Sequence, residues 1–336
     1  MCSYSNILLF GVEPVIMFFN GECTDQEVQH HVKQIEREPI DSLIAVGGGK
    51  CLDAGKCIGH CVSVPVIMCP TVASTDAPCS ACSVIYTPEG AFERPWFFPE
   101  SPALVLVDTG VVIRAPLRFL VAGIGDAMST YYEARTCFLN PKARTMVGAR
   151  PTAMAFAIAE LGAKLLFENG VKAIESVKKT EVNEAVENVI EANTLLSGIG
   201  FESGGLAASH GIAQVFPVIP FLHDKYMHGE MVALGVLVHK CLERDEAEAR
   251  RVASFFAQVG LPVHLRQLSL DIELNAKEIK LIIDEAMNVF FIHHEPFEVT
   301  SEKLMKALLD ANALGMEASK NIGDDAYRRL HPEVGI

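Results

Sequence analysis

One local pattern constrains this chain more than any other. Ser42-Leu43-Ile44-Ala45-Val46 is a short apolar run that ends on Gly47-Gly48-Gly49-Lys50, and Cys51 to Gly59 then carries helical character. A short unbroken apolar run closed by glycines reads as a buried parallel strand. Val64 to Cys69, closed by Pro70, and Leu104 to Val107, closed by Asp108, repeat the pattern. Strands that alternate with helices predict a doubly wound parallel sheet. Between the last two strands, the Pro- and aromatic-rich stretch 83–102 reads as a hairpin around Pro88-Glu89-Gly90.

The texture changes after about Arg114. From Leu117 onward helical periodicity dominates: Pro151 to Phe167 is Ala-rich, Lys172 to Leu196 is amphipathic, and Met231 to Leu242 reads as a buried helix. Ala247 to Val259 and Ser301 to Met316 are further helices. A chain of 336 residues is long enough for two cores. The predicted organisation is an α/β domain with a parallel sheet over 1–115 and an all-α domain over 116–336, with no internal repeat or low-complexity tract.

The formal net charge of -14 disfavours nucleic acid and anionic membrane as partners. The basic clusters Lys178-Lys179 and Arg250-Arg251 are short and read as solvated helix faces. No apolar stretch reaches the roughly 18 to 20 residues of a membrane span. The apolar start, Ile7 to Phe19, is interrupted by Glu13 and Pro14, and no Lys or Arg precedes Lys33, so a cytoplasmic location is expected. The 10 cysteines do not form a disulfide-scaffold pattern, and Cys79-Ser80-Ala81-Cys82 lacks the second pair that a zinc or redox dithiol would need.

Strand, triple glycine and helix form the layout of a phosphate-binding turn, where glycines admit the ligand and the helix start supplies amide donors. The G-x-G-x-x-G pattern fails at Leu52, and the G-x-x-x-x-G-K-[ST] loop fails at Cys51. A tight turn that binds nothing fits the same residues. The loop Pro70 to Pro78 also follows a strand, and its Ser74, Thr75 and Asp76 suit either ligand contacts or capping of the next turn. Farther on, Asp126 (read as lying at a helix start), His210 and His228 each stand beside small residues. One carboxylate and two imidazoles with open positions is a catalytic-metal pattern, although a lone His in an apolar setting is also an ordinary hydrogen-bonded core residue.

Taken in order, these motifs resemble a known family. Gly-Gly-Gly-Lys-x-Leu-Asp-x-x-Lys at 47–56 resembles the nucleotide turn of the iron-containing alcohol dehydrogenase superfamily. Pro-Thr-x-Ala-Ser-Thr-Asp-Ala-Pro-Cys-Ser at 70–80, with Ser83 to Tyr86, is similar to its glycerol dehydrogenase group. So are Phe119 to Ala127, Ile190 to Thr194, Gly200 to Ala207, and His228-Gly229-Glu230. The resemblance runs from about Gly11 to at least His293. It implies a dehydroquinate synthase-like fold and NAD-dependent, zinc-dependent oxidation of glycerol or a similar vicinal diol to dihydroxyacetone. It implies Zn²⁺ held by Asp126, His210 and His228, and polyol contacts from Asp76 and His210. It implies NAD contacts from Gly48, Gly49, Lys50, Asp53, Thr71, Ser74, Ser80, Cys82 and Tyr86, with His293 near the site. A small-molecule polyol is the implied partner, and a homo-oligomer the implied assembly.

The chain departs from that group at three places. Cys82 stands where an aliphatic residue is common, and Glu295-Pro296-Phe297-Glu298 stand where glycines follow the site histidine. Residues 1–10 match nothing, and Gly21-Glu22-Cys23, before the first good helix, lies close to Met1. The expectation is a nucleotide-binding domain without the family's first strand-helix-strand, and so without the carboxylate that binds the adenosine ribose. An open sheet edge, weaker NAD binding and lower stability would follow. Competing readings are a dehydrogenase for another alcohol or diol and a non-catalytic homologue that assembles with intact partners. A lyase resembling 3-dehydroquinate synthase would need a basic phosphate pocket that the sequence does not display.

Overall fold

The structure is a computed structural model that describes Gly11 and residues Glu13 to Val334; residues 1–10, which the sequence reading set apart from the family, lie outside it. Asp25–Ile35 forms α1, started by Thr24, whose hydroxyl accepts from the Glu27 amide at 3.0 Å. Leu43–Gly47 (β1) runs into Gly49–Val62 (α2), then Val66–Pro70 (β2). Cys82–Tyr86 (β3) and Phe92–Phe97 (β4) pair antiparallel as the expected hairpin, turning through Gly90 at φ +84°. Leu104–Val105 (β5) is shorter than its apolar run, because Asp108 caps the next helix, Thr109–Val112 (α3), by accepting from the Val111 amide. β1, β2 and β5 form a parallel sheet in that order, with Leu43 opposite Val66 and Ile67 opposite Leu104.

The predicted two-sided burial of β1 holds on one face. Leu43 and Ala45 pack onto α2 within a core that includes Val28, Val32, Leu52, Cys57 and Met68. Ile44 and Val46 point the other way and are 57% and 61% exposed. Among the described residues β1 pairs only with β2.

The rest is helical: Leu117–Leu139 (α4), Ala153–Lys178 (α5), Glu184–Glu191 (α6), a π-helical turn at Ala192–Leu196, Ser197–Gly204 (α7), Ala208–Ala213 (α8), Pro220–Lys225 (α9), His228–Leu242 (α10), Glu246–Val259 (α11), Ala276–Ala286 (α12), Ser301–Ile322 (α13) and Asp325–Leu330 (α14). α10 is buried along its length inside a second, larger core. Two local expectations need correction. The helices expected over 151–167 and 172–196 break elsewhere: α5 runs unbroken through Asn169-Gly170 and stops before Thr180, at φ +58°, with Asn183 capping α6. Gly170 is a contact residue, since a Cβ there would lie 2.8 Å from the Phe255 ring. Asp126 is not at a helix start but inside α4. Gly125 beside it lets α4 meet α10, since a Cβ there would come within 2.3 Å of the Gly229 carbonyl oxygen.

Candidate active site

That close helix contact places Asp126 beside the first residue of α10, His228, while α8 brings in His210. The Asp126 Oδ1 atom lies 3.5 Å from His210 Nε2 and 3.5 Å from His228 Nε2, and one ligand atom from each of the three lies within 4.8 Å of the others. Bond lengths of about 2.0–2.1 Å around a tetrahedral ion put neighbouring ligands about 3.3 Å apart, so the three side chains fit a first-row divalent cation with a position left open. They line one cleft of about 1640 Å³ together with Gly47, Gly48, Gly49, Lys50, Ser74 and Asp76. The glycine turn and the candidate metal ligands therefore share a space large enough for a dinucleotide and a small polyol.

Sequence reasoning missed the groups that hold these ligands. Glu133, fully buried and two helical turns after Asp126 on α4, accepts from the Ala207 and His210 amides at 2.9 and 2.8 Å and from His210 Nδ1 at 2.6 Å. With its Nδ1 proton directed at Glu133, His210 turns the Nε2 lone pair toward Asp126, the orientation a metal ligand needs. Burial pushes the Glu133 carboxyl up, but the His210 ring and amide hold it below its usual range. Burial opposes a charged His210, yet Glu133 and Asp126 raise its pKa well above the ordinary value, which marks a locus where negative charge seeks a cation. Glu133→Gln keeps the shape and one acceptor but loses the charge. Its metal affinity should fall about 10- to 100-fold, as for other carboxylates behind a metal-binding His, read by competition with a chelator. The spacing of Asp126 and Glu133 on one apolar helix face was the available signal.

Glu230 fixes the other side. It is 1% exposed and accepts from the Met227 amide at 2.9 Å, Arg118 Nε at 2.6 Å, Arg118 Nη2 at 2.8 Å and His331 Nε2 at 2.7 Å. It thereby anchors the start of α10, and with it His228. The Asp76 carboxyl is pushed up to about 7 by burial and by the facing Asp126, while Ser197, held by Thr130, donates to it at 2.9 Å.

The nine candidate cofactor contacts divide into two groups. Gly48 caps α2 in an extended conformation, Gly49 opens the helix, the Thr71 amide donates to the Gly47 carbonyl at 2.9 Å, and Ser74 is half-buried on the cleft. Lys50 lies 4.9 Å from the Tyr86 ring centre and pairs with Glu22 at 2.5 Å. Asp53, Ser80 and Cys82 also line the cleft, and they gather around Lys56, which was not singled out from the sequence. The Lys56 ammonium pairs with Asp53 at 2.9 Å and donates to the carbonyls of Ala77, Ser80 and Cys82 and to the Ser80 hydroxyl. Asp53 also accepts from the Val84 amide at 3.1 Å. His293 is on the surface with Nε2 3.1 Å from the Met287 carbonyl, not at the cleft; the neighbouring His294 is the buried one, its Nδ1 2.7 Å from the Leu206 carbonyl.

A parallel sheet with a glycine turn, set against a helical half that presents one carboxylate and two imidazoles, defines a class, and comparison with known proteins agrees. The sequence profile of the iron-containing alcohol dehydrogenases matches residues 8–109. The chain belongs to the iron-containing alcohol dehydrogenase family. Within it, the chain is similar to glycerol dehydrogenases: it is 44% identical over 299 residues to that of Thermotoga maritima, covering 88% of this chain and 81% of the relative. It superposes on the crystal structure of glycerol dehydrogenase from Schizosaccharomyces pombe with a TM-score of 0.88 and 34% identity, over 95% of this chain and 81% of that one. A glycolaldehyde reductase of Halobacterium salinarum is 38% identical over 312 residues, covering 91% of this chain and 83% of the relative. Among the described residues no helix is long and apolar enough to cross a membrane.

Proposed function

We propose that this protein is an NAD-dependent, zinc-dependent glycerol dehydrogenase that oxidises glycerol to dihydroxyacetone. The observation that carries the reading is the convergence of Asp126, His210 and His228 on the cleft that also holds the glycine turn. The similarity to glycerol dehydrogenases supports the choice of substrate. The oxidation moves a hydride from the secondary carbon of glycerol to the nicotinamide of NAD and releases the hydroxyl proton.

The mixed nitrogen and oxygen donor set suits Zn²⁺ and also Fe²⁺; we assign Zn²⁺. A divalent ion bound there supplies Lewis acidity that lowers the pKa of a polyol hydroxyl. The remaining work falls to the chain itself. Glu133 holds the His210 ring, and Glu230 holds the start of α10. Asp76, steadied by Ser197, would accept a hydrogen bond from a second hydroxyl and so favour a diol over a simple alcohol. Gly48, Gly49 and Lys50 would receive the cofactor's phosphates at the start of α2. Lys56 would keep the Ala77–Cys82 loop in the shape the nicotinamide half requires. A homo-oligomer is part of the same proposal, read by light scattering.

The substrate is tested by steady-state NADH formation with glycerol, propane-1,2-diol and ethanol, and by NADH consumption with dihydroxyacetone and glycolaldehyde. The expected order in kcat/KM places glycerol and dihydroxyacetone first. A preference for glycolaldehyde, in line with the Halobacterium relative, would reassign the substrate while leaving the chemistry in place.

A further inference from the structure

The far end of α10 carries a second convergent set of ligand-type side chains. His239 and Glu243 stand one helical turn apart on one face, and Glu295, just after the 3-10 turn Phe290–His294, reaches the same point. His239 Nε2 lies 3.1 Å from Glu295 Oε1 and 3.4 Å from Glu243 Oε1, close to the tetrahedral ligand spacing of about 3.3 Å. Thr136 on α4 adds a hydroxyl 3.2 Å from His239 Nε2, its own proton donated to Glu243 Oε1 at 2.7 Å. None of the four residues lines the catalytic cleft.

The polar groups here do not satisfy one another. His239 and Glu295 are both buried, and among the described residues neither Glu295 oxygen has a hydrogen-bond partner. Glu243 is served through its other oxygen by Lys240 and by Arg135 at 2.8 Å, and Asp245 lies 3.7 Å from Lys240. Three carboxylates thus face Lys240, Arg135 and the His239 ring, where burial opposes the charge but Glu295 and Glu243 raise the pKa to about 9. His239 Nδ1 is engaged with the Ser209 hydroxyl at 2.9 Å, so Nε2 is the atom that faces Thr136, Glu243 and Glu295. A single N–H can point at one oxygen, and its hydrogen-bond geometry favours Thr136. The Glu295 carboxyl is then buried without a donor, a costly arrangement. One cation placed among the three ligand atoms meets Glu295, Glu243 and the imidazole together.

We propose that His239, Glu243 and Glu295 form a second divalent-cation site, structural in role, with the Thr136 hydroxyl as a further oxygen. The site pins the 290–298 segment to α10, and through Ser209 it braces the turn of α8 that carries His210. The mixed imidazole and carboxylate set suits Zn²⁺ or Mn²⁺.

The test uses the full chain with the catalytic site disabled. His228→Ala protein, stripped with chelator, is titrated with Zn²⁺ alone and with Mn²⁺ alone while bound metal and Tm are measured. The expected result is one equivalent bound with a rise in Tm, because an ion that binds only the folded state stabilises it. The doubly substituted His228→Ala, Glu295→Gln protein should bind none and show no rise. If that protein does not fold, His228→Ala with Glu243→Gln takes its place. A metal-free His228→Ala protein whose Tm ignores both ions overturns the proposal, and so does an equivalent that survives loss of Glu295 or Glu243. Activity does not enter the readout, so the outcome is independent of the substrate assignment.

Discussion

His228→Ala should lose NAD-linked glycerol oxidation by at least about a thousandfold, because Lewis-acid activation of the reacting hydroxyl is worth several kcal/mol and each 1.36 kcal/mol is a factor of ten. The fold should survive. The His228 side chain is 43% exposed, so in the metal-free proteins stability should change by no more than a surface substitution allows, about 0.5 kcal/mol. The place of the ring in the cleft lowers its pKa, and the His210 ring adds to that, which keeps it in the neutral form a metal ligand requires. Calorimetry beside an activity assay separates the two effects. A fall in rate accompanied by a fall in the Tm of the metal-free proteins would mean that His228 is a folding residue rather than a ligand, since loss of a ligand alone lowers Tm only when metal is present.

Glu230→Ala should give the largest loss of stability among single substitutions near the site. It leaves the Arg118 guanidinium without its main partner and takes the carboxylate from His331 Nε2 and the Met227 amide. Removing one member of a buried ion pair costs about 3–5 kcal/mol. Activity should fall with it, because the start of α10 carries His228. The pH dependence has a definite sign. Burial pushes the Glu230 carboxyl up, but Arg118, and then His331, pull it below its usual value of 4.5. Its contribution is therefore fully present above that value and is lost as pH falls through the depressed folded-state pKa. Chemical denaturation across acid pH should show a steeper loss in the wild type than in Glu230→Ala, and equal slopes would remove Glu230 from the account.

Much of the fold was legible because its signals are local. The apolar runs at 42–46 and 64–69 each close on a turn residue, and the Pro88-Glu89-Gly90 hairpin follows from turn chemistry. What stayed hidden depends on contacts far apart in sequence. Gly125 and Gly170 look like helix breakers, but both are points where a helix must come close to a neighbour. Glu133 and Glu230 look like stray charges on apolar helices until the structure brings their partners in from Ala207, His210, Arg118 and His331. His293 and His294 are indistinguishable by composition, and only packing shows which one is buried. Lys56 was visible in the motif, but its hub role needs the return of the Ala77–Cys82 loop.

The central proposition is that an ion held by the Asp126, His210 and His228 side chains enables polyol oxidation in the cleft facing the glycine turn. It is tested most directly by following NADH formation from glycerol in chelator-stripped wild-type protein as Zn²⁺ is added back. The account predicts negligible turnover without metal and full recovery on restoring the ion at this site. Undiminished turnover by the metal-free protein would contradict it.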